Sequence, residues 1–205
     1  MRGPHNIWRL VRTGATFERT GAMKVALEAM NAPPAVRVGA RILGWPFKWL
    51  GLRGDVNLPP VTRALTALGP AYIKFGQILS TRPDVVGDDL ARQLRVLQDK
   101  LPPFDTETAR RTVAAELDAP LEDLFSEFSE PVAASIAQVH RARLRDSGQD
   151  VAVKVLRPNI ERAFRRDIDA FYLIAWGVET LSPSSRRLRP HDVIEHFEGV
   201  VMKEL

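Results

Sequence analysis

Apolar residues recur at helical spacing through the first thirty positions, where Ile7, Leu10, Val11, Val25 and Leu27 are interleaved with arginines, and the pattern predicts a helix over 1–30. Ala32-Pro33-Pro34 ends it, because proline cannot continue an intrahelical ladder. Gly69-Pro70 opens another helix that runs to about Thr81, with proline well placed in its first turn. Leu90, Leu94 and Leu97 share one face of a predicted helix over 88–100, which Pro102-Pro103 closes. Asp105 can cap a further helix over 106–117. After Pro120 the period shortens to two, and 125–132, 138–144 and 150–156 read as three short strands, the last two joined by a turn at Asp146-Ser147-Gly148. In the third, Val151, Val153 and Val155 face one side while Ala152, Lys154 and Leu156 face the other. Pro158 starts a long helix to about Leu181, 182–185 is a loop, and 191–205 is a final helix. Helices, then a small antiparallel sheet, then helices predict an α+β fold.

Composition narrows the class. At 205 residues with 45% hydrophobic and 26% charged positions, the chain can bury a core. The absence of cysteine excludes disulfides, thiolate metal sites and a cysteine nucleophile. The longest apolar run, near 170–178, is shorter than the ~18 residues a membrane span needs. The N-terminus lacks a secretory apolar core, since Arg9 and Arg12 fall inside it. The net charge of +4 is unevenly placed: residues through Arg63 carry +7 and the remainder −3. A basic segment of this kind meets an anionic partner. Within it, Trp45-Pro46-Phe47-Lys48-Trp49 sets rings beside cations, a combination that suits the edge of a bilayer. The alternative is a loop whose tryptophans anchor it to the core. No reader motif accompanies the basic patches, and nucleic acid is not an expected partner.

Candidate chemistry centres on Lys154. An ammonium in an apolar strand calls for an anion, either a carboxylate or a ligand phosphate. In protein kinases a hairpin loop covers the nucleotide phosphates, and the lysine of a V-A-x-K strand holds them and pairs with a helix glutamate. Val139 stands fifteen residues before Lys154, close to the spacing between the last valine of a glycine-rich loop and that lysine. Counted back from Val139, the second and third glycine positions fall on Ala137 and Ala134. Alanine disfavours positive φ, so such a loop covers a phosphate in a different conformation. The plainer alternative is a lysine solvating an edge strand beside a tight alanine turn. Other sites find little support. His191 and His196 do not share a helix face, no metal-ligand motif is present and no metal ligands are predicted in this chain; His140 reads as a satisfied core or rim histidine.

Lys74-Phe75-Gly76-Gln77, Ala133-Ala134-Ser135-Ile136-Ala137-Gln138-Val139-His140, Val151-Ala152-Val153-Lys154 and Arg187-Leu188-Arg189-Pro190, in that order, resemble the UbiB/ABC1/COQ8 family of atypical kinase-like proteins, in a match from about Leu58 to Leu205. The resemblance implies an N-terminal helical extension over 58–120 (carrying Lys-x-Gly-Gln) followed by a kinase-like N-lobe over 121–205, while the uneven charge sets 1–57 apart as a basic, helical N-terminal region expected to meet a membrane surface. It implies that Lys74 and Gln77 lie on a helix folded over the nucleotide pocket, where it would exclude a peptide hydroxyl and disfavour protein phosphorylation. It places Ala133, Ala134 and Ser135 in the phosphate loop, with Ala137 and Val139 following, and makes Lys154 the nucleotide lysine. Glu204 matches the glutamate of the Glu-x-Asp motif and is the first carboxylate expected to pair with Lys154 or Lys74, with Glu198 in reserve. Two departures accompany the match. The family's loop usually has one more small residue before Ser-Ile, and the sequence stops before any catalytic-loop Asp and Asn or metal-binding Asp. The resemblance therefore implies a fragment or truncated product without a C-lobe, binding ATP with Mg²⁺ whose protein ligands lie elsewhere, and with little catalysis by itself. The implied setting is ubiquinone biosynthesis at the cytoplasmic face of a bacterial inner membrane. The expected partners are ATP or ADP, the anionic membrane surface, quinone-precursor lipids and other ubiquinone-biosynthesis proteins, and any membrane anchor is expected beyond residue 205. A non-catalytic membrane or scaffold module with a degenerate lobe is the alternative.

Overall fold

The stretch predicted as one helix over 1–30 folds as two, α1 (Pro4–Thr20) and α2 (Ala22–Ala29). Gly21 between them adopts φ 82°, and the Thr16 and Thr20 hydroxyls bond back to the carbonyls of Arg12 and Thr16, weakening the ladder just where it breaks. This computed structural model describes residues 4–29, 32–98, 103–133, 136–181, 186 and 189–205. Next come α3 (Pro34–Gly44), a 3-10 segment Trp45–Leu50, α4 (Pro60–Leu68), α5 (Pro70–Ser80), α6 (Pro83–Val86) and α7 (Asp88–Leu94) with a 3-10 turn Arg95–Gln98. Each of α3 to α6 begins on proline, whose missing N–H costs nothing in a first turn. The periodicity missed α4, whose nine residues start at Pro60 after Pro59 and stop at Leu68, before Gly69, which takes φ 114° to turn directly into α5.

Then follow α8 (Thr106–Glu116), α9 (Leu121–Leu124) and four strands: β1 (Phe125–Phe128), β2 (Val132–Ala133), β3 (Ala137–Leu144) and β4 (Asp150–Leu156). Asp105 caps α8 as its spacing predicts, accepting from Thr108 N at 2.8 Å. Finally α10 (Ile160–Leu181) and α11 (Pro190–Glu204) complete the chain. Packing groups these elements into two units, Met1–Asp99 with Glu161–Leu205, and Lys100–Ile160. The grouping cuts across the three sequence segments, because α10 and α11 return to the helices of the first hundred residues.

In the first unit the core is aromatic. Phe75 of α5 lies 5.0 Å from Phe171 of α10 and 5.2 Å from Phe197 of α11, and Tyr72 stands edge-on to Phe171 at 4.7 Å. Tyr72 also meets the Thr13 hydroxyl of α1 at 2.7 Å, and burial pushes its phenol up to about 12. None of the described helices is long and apolar enough to cross a membrane.

The second unit holds the antiparallel sheet. The single strand predicted over 125–132 is two, because Pro131 has no N–H to donate to a ladder. Both β1 and β2 lie on one edge of β3, and β4 takes the other. One face of this sheet packs Ala142 and Val155, with Val151 and Val153, on Ala109 and Val113 of α8 and Leu121 of α9. Gln138 and His140 are buried on that face in a closed chain. Phe104 N donates to Gln138 Oε1 at 3.0 Å, the Gln138 amide meets His140 Nε2 at 3.1 Å, and His140 Nδ1 meets the Ser129 carbonyl at 2.7 Å. The chain is complete with the proton on Nδ1, so His140 is a satisfied core histidine, as its position suggested.

Candidate functional site

The predicted site residues fall in both units. In the first, four successive residues of α5 point four ways, about 100° apart. Lys74 Nζ donates to both carboxylate oxygens of Glu204 at 2.6 and 2.8 Å. Phe75 enters the aromatic core. Gly76 lies so close to α4 and the 3-10 turn after α7 that a Cβ there would meet Leu97 Cδ1 at 2.4 Å and Leu65 Cδ1 at 2.7 Å. Gln77 donates from its amide to the Leu97 carbonyl at 2.7 Å, tying α5 to the same 3-10 turn. The four residues of Lys-x-Gly-Gln thus supply, in order, a charge contact, a core anchor, a close approach and a backbone tie.

Glu204 closes the buried stripe of α11. Ile194, Phe197 and Val201 are buried at the spacing of one helix face, and Glu204 occupies the next position on that face. The pairing expected for Glu204 with Lys74 is therefore made. The reserve candidate Glu198 lies one residue off the stripe and instead accepts from the Tyr172 hydroxyl of α10 at 2.8 Å. Desolvation, and then this carboxylate, push Tyr172 up to about 12. Sequence reasoning missed this contact, and also Arg9 with Asp167, which joins α1 to α10. Neither pair has a local signature, since their partners lie 26 and 158 positions apart.

The second unit carries the nucleotide-lobe candidates. Val139 is directly opposite Lys154 in the β3–β4 ladder, and Val132 of β2 is directly opposite Val139 on the other edge. Cross-strand partners share a face, so Val132, Val139 and Lys154 form one row, flanked by Ala152 and Leu156 of β4 and by Ala137 of β3. Lys154, expected as an ammonium buried in an apolar strand, is instead exposed, on the face away from the valine core. Strand alternation is the reason, since Val153 and Val155 take the buried side. Ala137 is fully buried, and Ala133 ends β2 opposite Gln138. Ala134 and Ser135 lie outside the described residues.

Among the described residues, His191, Asp192 and Glu195 have ligand atoms within 4.8 Å of one another at the start of α11, where Asp192 is paired with Arg189 at 2.6 Å. Neither His140 nor this exposed group lies in the row that carries Lys154.

The ABC1 atypical kinase-like domain family matches residues 96–205. The "Probable protein kinase UbiB" of Edwardsiella ictaluri is 44% identical over 173 residues, covering 83% of this chain and 31% of the relative. The protein of the same description from Pseudomonas paraeruginosa is 46% identical over 172 residues, covering 80% and 32%, and that from Shewanella baltica is 49% identical over 144 residues, covering 69% and 26%. The chain thus spans about a third or less of the length of these curated relatives. No solved structure matches it significantly. A helical region bearing Lys-x-Gly-Gln, a small antiparallel sheet with valine opposite lysine and this family match agree: the chain belongs to the UbiB/ABC1 family of atypical kinase-like proteins.

Proposed function

We propose that the chain is the nucleotide-binding part of a UbiB-like atypical kinase or ATPase that supports ubiquinone biosynthesis. The observation that carries this reading is the row Val132–Val139–Lys154, with Ala152 beside it. Small apolar side chains give a flat floor on which a purine ring can lie, and one ammonium at the end of the row supplies the charge that phosphates need. The segment between β2 and β3, to which Ala134 and Ser135 belong in the sequence, would in this reading cover the phosphates. These residues fit ATP. Mg²⁺ would neutralise charge on its phosphates. What the chain's own residues do is orient the base, hold the phosphate end through Lys154 and limit access of water.

In the same reading Lys74 and Glu204 set the position of α11 relative to α5, and the Lys-x-Gly-Gln helix favours hydrolysis coupled to quinone-precursor lipids over phosphorylation of a protein in trans. The protein would work at the cytoplasmic face of a bacterial inner membrane, against its anionic lipids and beside other ubiquinone-biosynthesis proteins. The family match supports the pathway, and the basic N-terminal region supports the membrane setting. The test is calorimetric titration with Mg²⁺ and a non-hydrolysable ATP analogue. Lys154→Ala should weaken binding about 30-fold or more, the loss of roughly 2 kcal/mol of charge-assisted contact. Unchanged affinity would remove Lys154 from the nucleotide site.

A further inference from the structure

The stretch from Pro34 to Leu50 presents an apolar stripe to solvent. Val38, Ile42 and Trp45 recur at steps of four and three residues along α3 and its end, Trp49 follows in the 3-10 segment, and they are 57%, 66%, 74% and 73% exposed. The alternative in which the tryptophans anchor a loop to the core is therefore overturned. What anchors the segment is its backbone. Arg19 of α1 donates to the carbonyls of Trp49 and Gly51 at 3.1 and 2.7 Å, and Leu52 N donates to Thr16 Oγ1 at 3.0 Å. Gly51 is packed so tightly on α1 that a Cβ would meet the Ala15 carbonyl oxygen at 2.2 Å. The main chain is clamped and the large side chains point away, the reverse of what a core-anchoring loop does.

Charge identifies the occupant. Between Glu28 and Asp55 the sequence has no acidic residue, while Arg37, Arg41, Lys48 and Arg53 are exposed there. Arg37, Arg41 and Lys48 each precede a stripe residue or lie one turn from it, so their cations flank the apolar row on the helix surface. A protein partner's surface normally mixes both signs around an apolar centre. A one-sign cationic border beside half-wet indoles matches a bilayer of anionic lipid, with rings at the level of the headgroups and cations reaching phosphate. We propose that α3 and the 3-10 segment Trp45–Leu50 form a docking arm that lies in the plane of an anionic lipid surface, inserting Val38, Ile42, Trp45 and Trp49. The arm rests on the peripheral-membrane setting of the proposed function and specifies the face that makes it.

The test uses the 205-residue chain and its own fluorescence. The sequence has four tryptophans, at 8, 45, 49 and 176. Trp8 and Trp176 are more than half exposed, so Trp8→Phe and Trp176→Phe leave Trp45 and Trp49 as the only indole reporters without disturbing the core. With vesicles of phosphatidylcholine and phosphatidylglycerol, emission of this variant should shift blue, and acyl-brominated lipid should quench it. In flotation, Trp45→Ser with Trp49→Ser should lower partitioning on the order of 50-fold, and Arg41→Ser or Lys48→Ser about five-fold each. The charge effects should vanish at high salt. Binding with unquenched indoles would overturn the arm while leaving the membrane setting intact. No binding to these vesicles would overturn both. Equal binding to pure phosphatidylcholine, or self-association abolished by the tryptophan changes, would also overturn the arm as an anionic-lipid contact.

Discussion

Phe197→Ala lowers the stability of the chain by about 3–5 kcal/mol, the range for removing a fully enclosed ring. Phe197 is 0% exposed and lies against three other rings, Phe75, Phe164 and Phe171. It therefore joins α5, α10 and α11 at a single point. The site feels this loss because Glu204 lies seven residues further along the same face of α11 and its carboxylate must reach Lys74. Urea unfolding followed by circular dichroism measures the loss. Phe47→Ala, at a half-exposed ring of the arm, is the comparison and should cost far less. A similar cost for the two would mean that the aromatic cluster does not organise the unit.

The second large effect is a pH dependence set by Asp167. This carboxylate of α10 sits against Arg9 of α1, with Arg12, Arg166 and Tyr72 also facing it. Desolvation outweighs these cations and pushes it from 3.8 up to about 6. The folded state then holds the proton more tightly than the unfolded chain. Its contribution is fully present below about pH 3.8 and is lost as pH rises through about 6. The full swing is on the order of 3 kcal/mol. Asp167→Asn removes the titration, so the stability of wild type relative to this variant should fall between pH 4 and pH 7. A difference that stays flat, or rises with pH, would mean that the Arg9 contact dominates.

Much of this architecture is legible in the sequence. Asp105, the prolines at helix starts and the Val151–Leu156 alternation each act through immediate neighbours, so their outcome follows from local chemistry. The break at Gly21 was written in the chain as a glycine, but a helical pattern on both sides hid it. Strand pairing was legible at Val139 and Lys154 because a fifteen-residue spacing and a turn signal fix the register of one hairpin. What escaped was non-local. The pattern does not announce that Gln77 ties to the Leu97 carbonyl, or that Asp167 meets Arg9 across 158 positions. Glu204 is intermediate: an acid in a position where the apolar stripe of α11 should continue signals a fixed cationic partner, although it does not name Lys74. For Lys154, the apolar character of the strand suggests burial, but alternation gives the buried face to the valines and leaves the lysine exposed.

The most direct test of the nucleotide-lobe reading is amide chemical-shift mapping of the isotope-labelled chain during titration with Mg²⁺ and a non-hydrolysable ATP analogue. The reading predicts the largest changes at Val132, Val139, Ala152 and Lys154, together with Ala134 and Ser135. Changes confined to other elements, or saturating binding that leaves this row unmoved, would contradict it.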